Sequence, residues 1–161
     1  MSLRPQATGA NHRYIIDSVP TIYLIRHAEP VSPWDWDGDD ATRPLSARGV
    51  RQAQWMGKHL RGLQVDDFRT APHQRCRQTA EEIGKALGIE PRIDNALHIA
   101  RSFRVGPLTG TAVWVVHSNN IPGAVLKLGV PCNSCGHASA WLLHLDEHGK
   151  VTGHEYIEPE V

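Results

Sequence analysis

The chain has 161 residues, 17 Lys+Arg against 17 Asp+Glu, and 40% hydrophobic residues. That length fits one domain, the composition excludes global disorder, and three cysteines cannot make a disulfide framework. A formal charge of zero gives no bulk attraction to nucleic acid or a membrane surface, so any anion site must come from a local arrangement of charge.

The first twenty residues contain no continuous apolar h-region, and no stretch approaches the ~20 apolar residues of a membrane span. The expectation is a cytoplasmic protein with no membrane or nucleic-acid partner. Residues 1–20, rich in polar residues, Pro and Gly, are expected to form a loose tail, and 21–161 a single domain.

In chain order, Thr21 to Ile25 is a short apolar run rich in β-branched and aromatic residues, and reads as a buried strand. A polar loop with Pro30, Pro33, Gly38 and Pro44 follows. Its segment Trp34 to Asp40 carries four aspartates and reads as an acidic rim with two exposed aromatics; it fails the calcium-loop pattern, with Asp40 where the sixth-position glycine belongs and Ser46 where the bidentate glutamate belongs. Ser46 caps a predicted helix with stripe positions at Val50, Ala53, Met56 or Gly57, and Leu60, stopped at Gly62. Val65 to Thr70 predicts a strand. Pro72 opens a second helix, with Cys76, Ala80, Ile83 and Leu87 on one face, a Glu81–Lys85 pair, and Gly88 at its end. Arg92 and Ile93 can form a short strand, Ala112 to Val116 gives the strongest strand signal, and Ile121 to Leu128 reads as a helix. Ala140 to Leu145 and Glu155 to Ile157 read as late strands. This alternation predicts a three-layer α/β/α sandwich around a mostly parallel sheet.

In such sheets ligands bind beyond the carboxyl ends of the strands. Two strands end there in a histidine: Arg26-His27-Ala28-Glu29, and His117-Ser118-Asn119. Arg75, in the first turn of a helix, and Arg43, before the Ser46 helix, supply further cations. Guanidinium donors match phosphate oxygens, and an imidazole with one free nitrogen is a competent nucleophile. This set suits phosphoryl transfer through a phosphohistidine, with arginine rather than a metal carrying the positive charge. Cys132 and Cys135, with His137 nearby, lack the second ligand pair of a zinc site.

Four motifs in this order resemble the histidine phosphatase superfamily, the phosphoglycerate mutase-like clan. They are Leu24-Ile25-Arg26-His27-Ala28-Glu29-Pro30; Leu45-Ser46-Ala47-Arg48-Gly49 with Gln52-Ala53; Thr70-Ala71-Pro72-His73-Gln74-Arg75 with Thr79-Ala80; and Val116-His117-Ser118-Asn119. Asp40-Ala41-Thr42-Arg43-Pro44-Leu45 is similar to a run in the short SixA-type phosphohistidine phosphatases. The resemblance implies His27 as nucleophile, Arg26, Arg43 and Arg75 as phosphate ligands, and His117 as both a ligand and a catalytic group. It implies no cofactor.

Three departures from the family pattern matter. Ala28 stands for the usual glycine, and Ala71 for a serine. Where many members carry a glutamate acid in a Leu-x-Glu context, this chain reads Asp94-Asn95-Ala96-Leu97-His98-Ile99. Asp40, Glu29 and His98 are the remaining candidates for the acid. A leaving group that needs little protonation, such as phosphohistidine, fits this lack. The span from Ile93 to Ala112 has no room for a large lid insertion, which argues against a mutase. The expected function is hydrolysis of a phosphomonoester or protein phosphohistidine through phospho-His27, releasing inorganic phosphate. The partner is then a phosphorylated small molecule or phosphoprotein. The alternative is a catalytically weak phosphate- or phosphoprotein-binding module on the same fold.

Overall fold

A computed structural model describes residues 3–5, 14–16 and 19–161. Within the expected tail, β1 (Leu3–Pro5) and β2 (Tyr14–Ile16) pair antiparallel; the rest of the tail lies outside the described residues.

The remaining strands form one six-stranded sheet: β3 (Thr21–Arg26), β4 (Asp67–Thr70), β5 (Arg92–Ile93), β6 (Thr111–Val116), β7 (Ala140–Leu145) and β8 (Val151–Ile157). Their order is β5-β4-β6-β3-β7-β8. β5, β4, β6 and β3 run parallel, whereas β7 and β8 are antiparallel to their neighbours, so the sheet is mixed. β8 is four residues longer than expected from its Glu155 to Ile157 signal. It lies at the edge, where its alternating exposed residues carry little apolar pattern. The hairpin into β8 is held by the Asp146 carboxylate, which accepts from the backbone N–H groups of His148 and Lys150 at 2.9 Å each.

The helices are α1 (Ala47–His59), α2 (Gln74–Leu87) and α3 (Ile121–Lys127). Ser46 caps α1 as expected: its Oγ accepts from the Gly49 N–H at 3.0 Å, a contact worth ~1 kcal/mol. α2 starts at Gln74, two residues later than Pro72 suggests, with His73 at its N-cap. It ends at Gly88, whose φ of 72° is a left-handed conformation favourable to glycine. Lys85 pairs with Glu82 rather than with Glu81.

α1 and α2 pack against each other. The β3–α1–β4 and β4–α2–β5 crossovers step the same way across the sheet. Right-handed crossing therefore puts both helices on one face, and the return to β6 on the other. Ile22, Leu24 and Ile25 of β3, Val113 and Val115 of β6, Ile83 of α2 and Ile121 and Val125 of α3 are fully buried in one core. Burial of each large aliphatic side chain contributes ~1.5–3 kcal/mol. No large insertion interrupts the fold; residues 94–110 run as irregular chain with one 3-10 turn at Asn95–Leu97. Among the described residues, no helix is long and apolar enough to cross a membrane.

Candidate active site

Strand register brings the site together. β3 and β6 align Arg26 with Val116, so His27 and His117 leave adjacent parallel strands at the same level. The His27 N–H donates to the Val116 carbonyl at 3.0 Å. β4 aligns Thr70 with Val115, so its exit delivers His73 and Arg75 to the same edge. A cavity of ≈ 380 Å³ opens there, lined by Arg26, His27, Glu29, Arg43, Arg75 and His117, with Ile99, Asn119 and His137 among its other walls.

The loop after β3 is tied down by polar side chains of the two helices on that face. The Ala28 N–H donates to Thr79 Oγ1 at 2.9 Å, the Glu29 N–H to Gln52 Oε1 at 3.0 Å, and the Leu45 N–H to Gln78 Oε1 at 2.7 Å. Thr79 in turn donates to the Arg75 carbonyl at 2.7 Å. Gly49 is required here, since a Cβ would stand 2.0 Å from the Glu29 carbonyl oxygen. The loop before β7 closes the far side. Ala138 takes a left-handed φ of 56° and donates its N–H to the His27 carbonyl at 3.1 Å.

His27 is buried. Its Nδ1 lies 2.8 Å from the Ala28 carbonyl, an acceptor, so Nδ1 carries the proton and Nε2 keeps its lone pair. Burial lowers the His27 pKa to about 3; the Ala28 carbonyl opposes this, and the Arg75 and Arg26 charges add to it. Burial, the His27 and His73 rings and the Arg75 charge lower His117 to about 2. Both rings are therefore neutral near pH 7, with centroids 5.4 Å apart.

The arginines are held by acceptors that leave donors over. Arg26 Nη1 donates to the Cys135 carbonyl at 2.9 Å, while its buried Nε has no partner among the described residues. Arg43 donates through Nε to Asp40 Oδ1 at 3.1 Å and through Nη1 to the Val31 carbonyl at 2.8 Å. Arg75, almost fully buried, donates through Nη1 to the Asp40 carbonyl and through Nη2 to its carboxylate.

The candidate acids are placed differently. Asp40 clasps Arg43 and Arg75 and does not line the cavity. Partial burial pushes its carboxyl up, but the Arg75 charge and the Arg43 hydrogen bond outweigh this and hold it below the usual range. Glu29 lines the cavity, accepts from Ser46 Oγ at 2.9 Å and pairs with Arg48 at 3.2 Å. His98 sits behind the site, its ring 4.6 Å from that of His73. Ile99, which ends the Leu97-His98-Ile99 run read against the family's Leu-x-Glu pattern, is one of the residues lining the cavity.

Two histidines carry no assigned role from sequence. His73 makes no capping bond to α2; its buried Nδ1 lies 3.1 Å from His117 Nε2, fixing that ring with help from Cys76 Sγ at 3.6 Å. His137 lies 5.9 Å from His27, ring to ring. The sole sequence signal for His73 is its place two residues before Arg75. The rim differs too: Trp34 is 93% exposed, but Trp36 is half-buried and donates Nε1–H to the Asp39 carbonyl. Among the described residues, Cys132, Cys135 and His137 do not assemble into a metal-ligand group.

The mixed sheet, the two helices covering one face and the short 94–110 connection define a phosphoglycerate mutase-like α/β fold. The family model for the histidine phosphatase superfamily (branch 1) matches residues 22–112, and the chain belongs to that family. A curated relative, the 8-oxo-(d)GTP phosphatase of Mycolicibacterium smegmatis, is 25% identical over 156 residues, covering 86% of this chain and 48% of its own. Probable phosphoglycerate mutase GpmB of Salmonella choleraesuis is 30% identical over 81 residues, covering 47% of this chain and 36% of its own. The chain thus spans less than half the length of these relatives. The structure of the protein histidine phosphatase SixA complexed with tungstate superposes with a TM-score of 0.72 at 18% identity, covering 86% of this chain and 97% of that one.

Proposed function

We propose that the chain is a phosphohydrolase working through a covalent phospho-His27 intermediate. The observation that carries this reading is the state of His27: Nδ1–H is fixed on the Ala28 carbonyl, and Nε2 is free in a cavity walled by Arg26, Arg43 and Arg75. In this scheme Nε2 attacks phosphorus and the bond to the leaving group breaks. The arginines and His117 stabilise charge on the equatorial oxygens. Water then attacks the phosphohistidine, the N–P bond breaks, and inorganic phosphate leaves. Positive charge comes from guanidinium groups, so a metal has no assigned step.

Asp40 acts in this reading as a positioning residue for Arg43 and Arg75, because a carboxyl held below the usual range is a poor proton donor at neutral pH. Glu29, between Ser46 and Arg48, is the nearer carboxylate to the cavity and orients the activated water or a leaving-group proton. The phosphatase names among the relatives and the SixA fold likeness support hydrolysis of a phosphorylated substrate. Transfer between hydroxyls, as a mutase performs, would require the phosphohistidine to be shielded from water, and the 94–110 segment is too short to add a large cover.

The test uses p-nitrophenyl phosphate with EDTA present. The expected result is turnover inhibited by vanadate, an acid-labile phosphoenzyme, and loss of both in His27→Ala. Wild-type turnover in that variant overturns the mechanism. Ile99, a cavity-lining residue with no proton to give in the segment where the family pattern carries a glutamate, favours one rival, a module that binds phosphate without turnover. Phosphate binding with no hydrolysis of an activated ester would establish it.

A further inference from the structure

His73 stands at the N-cap of α2 and does not cap it. Its buried Nδ1 lies instead 3.1 Å from His117 Nε2, with the two rings nearly perpendicular and 4.5 Å apart. Cys76 Sγ, 3.6 Å from the same His117 nitrogen, is the weaker partner. A third ring follows. His98 lies 4.6 Å from His73, centroid to centroid, and its Nδ1 accepts the Ala100 N–H at 3.0 Å. Neutral His98 therefore carries its proton on Nε2. Exposure rises along this row: His117 is 1% exposed and lines the phosphate cavity, His73 is 5% exposed, and His98 is partly open to solvent. The rings lead from the cavity toward the surface, in a chain whose Leu97-His98-Ile99 run has no glutamate.

The 3.1 Å contact allows two proton arrangements. If His117 Nε2–H donates to His73 Nδ1, the neutral His117 ring has only a lone pair left for a ligand. If His73 Nδ1–H donates to His117 Nε2, the His117 proton sits on Nδ1 and the ring can donate to a phosphoryl oxygen. A phosphoryl anion in the cavity selects the second, because an N–H attracts it and a lone pair repels it. Resting on the phospho-His27 reading, we infer that His73 is the positioning residue and proton partner of His117, and that this couple does the acid–base work for which the chain lacks the family's glutamate. His27 Nε2 forms the N–P bond as the bond from phosphorus to the leaving oxygen breaks. The electron pair of the broken bond goes to that oxygen, which takes the His117 Nδ1 proton. His117 Nε2 takes the His73 Nδ1 proton, and a proton from solvent, past His98, refills His73 at Nε2. His117 Nδ1 is then bare and accepts a proton from the water that attacks phospho-His27. The N–P bond breaks with its pair returning to His27 Nε2, and the proton shift runs back through His73 to solvent. No net proton stays on the couple. Neutral imidazoles suit this work, and burial lowers the pKa of both rings. Glu29, tied to Ser46 and Arg48, is left to orient the water.

The test compares kcat/KM on ethyl phosphate and glycerol 3-phosphate with kcat/KM on p-nitrophenyl phosphate, whose leaving group needs little protonation. His73→Phe is expected to lower the alkyl-to-aryl ratio about 100-fold, the lower end of what a positioned acid supplies. Asparagine can set an amide N–H where the His73 Nδ1–H stands, but cannot pass a proton on. His73→Asn is therefore expected to recover the vanadate inhibition that His73→Phe loses, while its alkyl-to-aryl ratio stays low. In the parent protein, alkyl phosphate turnover in mixtures of light and heavy water should give a curved proton inventory, because more than one proton moves with the chemistry. That measurement does not depend on either variant folding. An unchanged ratio in both variants, a linear inventory, or a ratio that falls in Glu29→Gln and not in His73→Asn overturns the inference. So does a parent that hydrolyses neither alkyl phosphate. The phospho-His27 reading fails separately, if the acid-labile phosphoenzyme formed from p-nitrophenyl phosphate persists in His27→Ala.

Discussion

Arg75 grips Asp40 twice, through Nη1 to the backbone carbonyl at 2.9 Å and through Nη2 to the carboxylate at 3.2 Å. The arginine side chain is 3% exposed and the carboxylate 62% exposed, so a buried cation is anchored by a loop residue open to solvent. The same carboxylate holds Arg43. A single residue thus sets the spacing of two cations on the cavity wall.

Asp40→Asn keeps the backbone acceptor and removes the charge. An ion pair with one partner exposed is worth up to ~1 kcal/mol, so activity is expected to change about fivefold or less, and equally for aryl and alkyl phosphates. A loss confined to the alkyl phosphate would show Asp40 to be the proton donor instead. Paired kcat/KM measurements on both substrates decide between these roles.

Acid should destabilise the protein through its buried histidines. His27 is held at about 3 and His117 at about 2, against ~6.5 in an unfolded chain. Between those values the unfolded state binds more protons. Stability is therefore fully present above pH ~6.5 and falls as pH drops toward 3. Each ring contributes up to ~1.4 kcal/mol per pH unit to that slope. Urea unfolding in phosphate-free buffers from pH 7 to 4.5 should show a steep fall, and His27→Gln a shallower one. An equal slope in the variant would refute the burial effect.

His73→Phe keeps a ring at the N-cap of α2 but leaves His117 Nε2 without its nitrogen partner. Leaving a buried polar group unpaired costs ~1–3 kcal/mol. The expected outcome is that loss in denaturant stability together with weaker vanadate inhibition, since His117 is no longer fixed. Unchanged inhibition would make His73 a packing residue alone.

Gly49→Ala places a methyl group against the Glu29 carbonyl. The contact would force α1 away from the loop after β3, at a cost of ~1–3 kcal/mol or more. Thermal unfolding should drop by several degrees, with KM raised because Arg48, Glu29 and the cavity rim shift together. A variant as stable as the parent would mean that the helix start can move freely.

Much of this site is legible in the chain because the parallel strands are short apolar runs that end abruptly in charged or imidazole residues. Arg26-His27 and His117 stand at such ends, and register between β3 and β6 follows once both strands are buried. The N-cap at Ser46 and the stop at Gly88 are local chemistry, readable within a turn. β8 is not fully legible, because an edge strand has no continuous apolar face. The Glu82–Lys85 pairing was decided by side-chain placement around α2, which i,i+4 spacing alone does not fix.

By itself, the sequence determined the α/β class, the chain order of the strands and helices from β3 onward, and the candidate residues for phosphate chemistry, because strand ends, caps and charged motifs are local signals. Tertiary structure decided which of them act together. Only packing sets Asp40 on two arginines and brings His73, at the N-cap of α2, against His117. Those contacts join residues 35 to 44 positions apart in the cases of Asp40–Arg75 and His73–His117, and no local pattern encodes them. The zero net charge was an average from the start. Folding separates it into an arginine-lined cavity and an acidic rim.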